Sequence, residues 1–301
     1  MSNWERYIKH FVSFLKIEKG LAENSIFAYQ NDVGKLYDFS IARKREATDL
    51  TYEDLKTFVA ELYDLGLSAR TQARIISGVK QFFGYLLLED LIVDDPSELL
   101  EMPRIGRKLP EVLSIEEVDA LINAIDLSKT EGHRNRAILE TLYSCGLRVS
   151  ELVNLRFSDL FFEEGFIRVI GKGNKERLVP VSPSVEKEIK LYNDHIRVHQ
   201  DIKPGNENII FLNRRGAQLT RVMIFTIIKS LADSIGLQKN ISPHTFRHSF
   251  ATHMIEGGAN LRAVQEMLGH ESITTTEIYT HLDQRFLRDA IVSFHPRNIE
   301  H

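Results

Sequence analysis

In its last quarter the chain places His244, Arg247, His270 and Tyr279 within a short stretch. These are a guanidinium, two imidazoles and a phenol. Arginine grips phosphate oxygens in a bidentate fork, histidine holds or moves protons, and a tyrosine oxygen can act as a covalent nucleophile. If Arg148 and Lys172, far upstream, fold into the same site, the set suits phosphoryl transfer without a metal.

Taken singly, each residue has a plainer reading. Arg148 follows Cys145-Gly146-Leu147 and could cap a helix end or pair with Glu151. Lys172 sits in a Gly-rich turn, where most lysines are only solvated. The Gly171-Lys172-Gly173 run lacks the remaining residues of a nucleotide P-loop, and no helix follows it. His244 and His248 are four apart and would share a helix face, as paired zinc ligands do. The glutamate of a His-Glu-x-x-His motif is missing, however, and Arg247 between them would repel a dication. His253 reads as packing or surface, and Tyr279 alone as half-buried core.

Four helical segments precede this chemistry. The first carries Ile8, Phe11, Val12 and Leu15 at helical spacing, and Asn24 reads as the N-cap of the second, with Val33, Leu36 and Tyr37. Thr51-Tyr-Glu-Asp54 resembles a capping box, and a fourth segment runs from Ser68 through Ile75, Val79, Phe82 and Leu86. Segments of this length with short connections predict a bundle. Residues 102–111, with two prolines and three cationic side chains, read as an extended linker. The expected domains are therefore 1–101 and 112–301.

The second domain opens on a capping box at Ser114-Ile-Glu-Glu117. Residues 165–170 and 176–181 are β-rich and flank Gly171-Lys172-Gly173-Asn174-Lys175, which predicts a hairpin with Lys172 near its tip. Further helices are expected over 183–201, 220–235, 243–257, 260–268 and 284–293. The fold class is thus mainly α with one small antiparallel β-hairpin or sheet.

The bulk numbers exclude little. Hydrophobic content of 43% and charged content of 27% are ordinary for a soluble globular protein. The single cysteine, Cys145, excludes an internal disulfide, and its apolar neighbours predict a buried core residue. No signal-peptide or bilayer-spanning pattern is read, so a cytoplasmic protein is expected. A net charge of −4 argues against a nucleic-acid partner until the chain is divided. Residues 1–103 hold 12 basic and 17 acidic side chains (−5), the remainder 26 and 25 (+1), and ten of the eleven histidines are in the second part. Net charge averages over faces, so it neither supports nor excludes such a partner.

The ordered set of motifs decides more than any residue alone. It comprises Gly146-Leu-Arg148-Val-Ser-Glu151-Leu, Gly171-Lys172-Gly-Asn-Lys-Glu-Arg177-Leu-Val-Pro180, Pro243-His244-Thr-Phe-Arg247-His248, Leu268-Gly269-His270 and Ile278-Tyr279-Thr-His281. This set resembles the tyrosine recombinase (phage-integrase-like) family, and within it the bacterial Xer subgroup. Leu21-Ala-Glu-Asn-Ser25, Asp94-Asp-Pro96 and His295-Pro-Arg297 extend the resemblance over nearly the whole chain. Phe246 and Asn260 stand where leucine and aspartate are common, and neither departure removes a catalytic group.

The resemblance implies an N-terminal SAM-like, core-binding four-helix bundle and an α-rich catalytic domain. It implies six catalytic residues, Arg148, Lys172, His244, Arg247, His270 and the nucleophile Tyr279, with Glu151 supporting the first arginine. It implies a site-specific recombinase that cuts and rejoins duplex DNA through a 3′-phosphotyrosine, with no metal or cofactor, and that resolves chromosome dimers at a dif-type site. The implied partner is a XerC-type recombinase in a heterotetramer, and whether an FtsK-type translocase activates it is left open. Arg70 and Arg74 in the fourth helix, and Arg221 and Lys229 in the 220–235 helix, are candidate DNA contacts, with a solvated-surface reading equally open. An integrase or transposon-type recombinase, a single-recombinase system, and a non-catalytic DNA-bridging protein are the alternatives.

Overall fold

The computed structural model describes residues 3–106, 111–171, 174–269 and 281–297, and of residues 281–285 the backbone alone. It divides into two units, residues 1–108 and 109–301. Among the described residues, no helix is long and apolar enough to cross a membrane.

The first unit is built from α1 (Asn3–Ile17), α2 (Glu23–Ala42), α3 (Tyr52–Asp64) and α4 (Ala69–Leu88). Local chemistry sets several of its helix starts. Thr51 accepts from the Asp54 backbone N–H at 3.3 Å while Asp54 accepts from that of Thr51 at 2.9 Å, the reciprocal capping box expected. Ser68 caps α4 through the Thr71 N–H. The expected Asn24 cap is displaced: α2 begins at Glu23 behind Ala22, which makes no side-chain cap.

The apolar stripes of these helices close on one core, with Trp4, Phe11, Leu36, Leu55, Ile75, Phe82 and Phe83 buried. Each large side chain so removed from water contributes about 1.5–3 kcal/mol. Trp4 stacks on Phe82 with ring centroids 5.7 Å apart, and its indole N–H donates to Arg45 O at 3.1 Å, so no donor is stranded.

The second unit is helical around one small sheet. It runs α5 (Ile115–Asn123), α6 (Gly132–Cys145), α7 (Val149–Val153), β1 (Leu160–Phe161), β2 (Phe166–Ile170), β3 (Glu176–Pro180), α8 (Pro183–His195), α9 (Arg221–Ser234), α10 (Pro243–Glu256), α11 (Leu261–Leu268) and α12 (His281–Phe294). The sheet is antiparallel in the order β1-β2-β3, with Ile167 facing Val179 and Val169 facing Arg177. It is one strand larger than the expected hairpin because β1 pairs with β2. The expected helix over 183–201 is broken at His195, and a 3₁₀ turn, Arg197–His199, follows.

Helix α6 is the hub of this unit. Ala137 through Cys145 are all buried, so the helix is enclosed on every side. Cys145 is fully enclosed, and burial pushes its thiol up to about 12, which leaves it inert as a nucleophile at neutral pH. A second cluster joins Phe250, Met254, Val264, Met267, Leu287 and Ile291 from α10, α11 and α12.

Candidate active site

Helix α6 ends at Gly146, whose φ of +57° is left-handed. A Cβ there would also come within 2.5 Å of the Phe250 ring, so only glycine makes this turn without displacing the core. The chain then reverses and Arg148 becomes the N-cap residue of α7. Glu151, one turn on, accepts from the Arg148 backbone N–H at 2.8 Å and from Arg148 Nη1 at 2.9 Å. A short helix thereby fixes a guanidinium whose side chain remains 40% exposed.

Helix α10 starts behind Ser242, with Pro243 in its first turn. His244 is exposed on that turn, and Arg247, one turn later, is buried. Arg247 Nη1 donates to Gly146 O at 2.7 Å, and Nη2 donates to Leu268 O. Burial first, then the neighbouring Arg148, lowers its pKa to about 10, so the group stays cationic at neutral pH.

Helix α11 is capped at its start by Asn260, which accepts from the Arg262 N–H at 2.8 Å. It ends at Gly269, again left-handed at φ +63°. The last carbonyls of a helix lack intrahelical partners and carry its negative end. Here three successive carbonyls each receive a different arginine: Met267 O from Arg177 Nε at 2.7 Å, Leu268 O from Arg247, and Gly269 O from Arg148 Nη2 at 3.3 Å.

Those same three arginines surround Glu151. Arg177 meets both carboxylate oxygens at 2.8 Å, Arg148 meets one at 2.9 Å, and Arg247 Nη1 lies 4.0 Å away. Burial pushes the Glu151 carboxyl up, but the Arg177 guanidinium and the Arg148 contacts outweigh it and hold the group below the usual carboxylate range. Three guanidiniums against one carboxylate leave a formal surplus of positive charge where Arg148 reaches solvent. Such a cluster attracts an anion with several oxygens and can stabilise charge developing on it.

Of the residues expected to do chemistry, Arg148, Glu151 and Arg247 come together, and His244 stands one turn before Arg247. Lys172, His270 and Tyr279 lie outside the described residues. The chain segments that carry two of them do reach the cluster. Gly171 N–H donates to Lys175 O at 2.8 Å across the hairpin turn, and a Cβ on Gly171 would stand 3.7 Å from Glu151 Oε1. Gly269, the residue before His270, receives Arg148.

Of the expected DNA contacts on the second unit, neither Arg221 nor Lys229 takes part in this cluster. Arg70 and Arg74 are exposed on α4 of the first unit, and Arg221 and Lys229 on α9 of the second. His253 is core, with Nδ1 2.8 Å from Tyr143 Oη. Among the described residues, no group of three His, Cys, Asp or Glu side chains is placed to hold a metal. Sequence reading passed over Arg177 as an individual residue. Strand alternation was the available signal, because Arg177 shares a face with the buried Val179.

Residues 111–285 match the phage integrase family and residues 8–90 match the phage integrase N-terminal SAM-like domain. Tyrosine recombinase XerD of Staphylococcus haemolyticus (strain JCSC1435) is 42% identical over 294 residues, covering 97% of this chain and 99% of the relative. Tyrosine recombinase XerD of Chlorobaculum tepidum is 41% identical over 301 residues, covering 98% and 97%. Among solved structures, the post-cleavage complex of XerH site-specific recombinase with a palindromic difH substrate superposes with a TM-score of 0.68 at 26% identity, covering 95% of this chain and 84% of that one. The chain belongs to the phage integrase family and is a site-specific tyrosine recombinase.

Proposed function

We propose that this recombinase exchanges strands of duplex DNA at a dif-type site and so resolves chromosome dimers, with a XerC-type recombinase as the second member of a heterotetramer. The observation that carries the chemistry is the convergence of Arg148 and Arg247 on Glu151 and on the carbonyls that lead into His270. The XerD-named relatives and the difH-bound XerH complex support the choice of site.

In this reading the Tyr279 oxygen attacks the scissile phosphorus, and the bond from phosphorus to the 5′ oxygen breaks. Lys172 supplies the proton that the leaving 5′ oxygen takes up, and His244 takes the phenol proton. Arg148 and Arg247 bind the non-bridging oxygens, and His270 donates to a phosphate oxygen. The 3′-phosphotyrosine retains the bond energy, so a second strand's 5′ hydroxyl can reverse the step without a nucleotide cofactor. The guanidiniums provide the charge stabilisation that a divalent cation supplies elsewhere.

The test is a nicked dif-type duplex that traps the covalent intermediate. A protein–DNA adduct that survives denaturant, is lost in Tyr279→Phe and is unchanged by EDTA is the expected result. No adduct with or without a XerC-type partner would refute the reading, and loss of the adduct with chelator would return the zinc alternative.

A further inference from the structure

Arg177 is the second residue of β3, five positions past Lys172 in sequence. It faces Val169 across the hairpin and points inward, with its side chain 6% exposed. Every nitrogen of the guanidinium is engaged: Nε with Met267 O at 2.7 Å, Nη1 with Glu151 Oε1 at 2.8 Å and Nη2 with Glu151 Oε2 at 2.8 Å. A group so enclosed has no donor in reach of a substrate phosphate. Arg177 and its partners instead belong to the three segments that carry the proposed chemistry: the hairpin, the turn from Arg148 to Glu151, and the end of α11 before His270.

The surrounding backbone is shaped to this side chain. A Cβ on Gly269 would stand 3.1 Å from Arg177 Cδ, and one on Gly171 3.7 Å from Arg177 Nη1. Both glycines adjoin residues expected to touch the DNA phosphate. Among the described residues, the charged groups within 4.0 Å of Glu151 are Arg177 from β3, Arg148 at the start of α7 and Arg247 from α10. Of these three, it is Arg177 that spans both carboxylate oxygens.

We propose that Arg177 is a positioning residue of the strand-transfer site: it spans both oxygens of Glu151, so that Glu151 can hold Arg148, and it ties the β2–β3 hairpin to the α11 terminus. This rests on the recombinase reading of the site. Without Arg177, the described cations that oppose burial are the half-exposed Arg148 and the more distant Arg247. Glu151 then takes up a proton nearer neutral pH and loses an acceptor oxygen toward Arg148. The defect should therefore shrink as pH rises. A purely structural arginine would slow the variant by the same factor at every pH.

The experiment compares wild type, Arg177→Met and Arg177→Lys for adduct formation on the nicked duplex between pH 6.5 and 9. DNA affinity and thermal unfolding are followed in parallel. Arg177→Met should bind DNA within about threefold of wild type and form adduct about 10- to 100-fold more slowly at pH 7, the scale set by outer partners of metal-ligating residues. Its deficit relative to wild type should shrink by up to about tenfold per pH unit, as for one proton. Arg177→Lys keeps a cation but cannot bridge both oxygens and Met267 O, so it should show a smaller deficit that does not change with pH.

A constant wild-type to Arg177→Met ratio, or full activity in that variant, overturns the proposal. If Arg177→Met does not fold, Arg177→Gln takes its place: a deficit that shrinks as pH rises supports the proposal, and a constant deficit or a wild-type rate overturns it. Absence of adduct in wild type itself would instead refute the recombinase reading, and the proposal with it.

Discussion

Arg74 Nη1 donates to Asp32 Oδ2 at 2.7 Å across the packing of α2 on α4, joining a carboxylate that is 1% exposed to a guanidinium that is about half exposed. The other carboxylate oxygen, Oδ1, is buried with no hydrogen-bond partner among the described residues. Burial pushes the Asp32 carboxyl up, and Arg74 with Lys35 offsets this only in part. A group whose folded pKa is raised favours the folded state most at low pH and loses that contribution as pH rises through the folded value. Asp32→Asn should therefore leave stability at pH 7 unchanged or raise it, whereas Arg74→Ala should lower it by about 1–3 kcal/mol by stranding the carboxylate. Urea unfolding at pH 7 checks both. If Arg74 contacts a DNA phosphate, Arg74→Ala also flattens the salt dependence of DNA affinity by about one unit of slope. An unchanged slope assigns Arg74 to the solvated surface.

Three glycines inside these two helices separate space from propensity. Replacing glycine by alanine within a helix ordinarily gains up to about 1 kcal/mol. Around Gly34 in α2 and Gly84 in α4 an added Cβ meets nothing within 4 Å, but at Gly78 it would stand 2.8 Å from Asp32 Cβ. Gly34→Ala and Gly84→Ala should raise the unfolding midpoint. Gly78→Ala should lower it, because the seam that holds Asp32 against Arg74 would have to open. A rise in all three would show that the seam is slack.

Local chemistry was legible in the sequence, and long-range chemistry was not. The capping boxes at Thr51 and Ser114 and the antiparallel pairing of residues 166–170 with 176–180 follow from neighbours close in sequence, and they formed as expected. Helix α6 gave no clear stripe because it is enclosed on all sides, so periodicity had nothing to contrast. The Asn24 cap failed because one capping residue type near a helix start does not fix which residue turns first. Glu151 was read as the partner of Arg148 alone. Its bond to Arg177 joins positions 26 residues apart, and the approach of Arg247 comes from another helix. No local pattern encodes either one. Strand alternation puts Arg177 on the face of Val179, but it names no partner, and the buried Arg197 is held by backbone carbonyls instead.

His295 gives the second unit an acid-sensitive core. Its ring is fully buried against Tyr143 and Phe250, with centroids 5.0 and 5.5 Å away, and Nδ1 accepts from the Arg297 backbone N–H at 3.1 Å. That bond requires the neutral ring. Burial first, then the Arg297 charge, pushes its pKa down to about 3. The unfolded chain takes up a proton near pH 6.5 and the folded chain does not, so stability is present above 6.5 and lost as pH falls from there toward 3. The loss is about 2 kcal/mol at pH 5, from 1.36 kcal/mol per unit. His295→Phe keeps an aromatic ring in the cage and should remove this part of the acid slope. Denaturant unfolding at pH 7.5 and pH 5 measures it, and equal slopes in the two proteins would show that His295 does not stay neutral.

Arg297 closes the same region through charge. Its Nε donates to Glu140 Oε2 at 3.1 Å, its Nη1 donates to Asp119, and the guanidinium lies 5.5 Å from the centre of the Tyr143 ring. Glu140 sits on α6 and is buried; burial pushes its carboxyl up, and Arg297 opposes that shift. Removing one member of a buried pair costs about 3–5 kcal/mol because the other is left uncompensated. Arg297 is itself partly exposed, so Arg297→Met should cost toward the low end, about 3 kcal/mol at pH 7. The orphaned carboxyl can relieve its burial by protonation. The deficit should therefore fall between pH 8 and pH 5, opposite in sign to the His295 effect. Adding Glu140→Gln to Arg297→Met should recover most of the loss at pH 8 and little at pH 5. If the double variant is no more stable than Arg297→Met at pH 8, the contribution of Arg297 comes from its contacts with Asp119 and the Tyr143 ring instead.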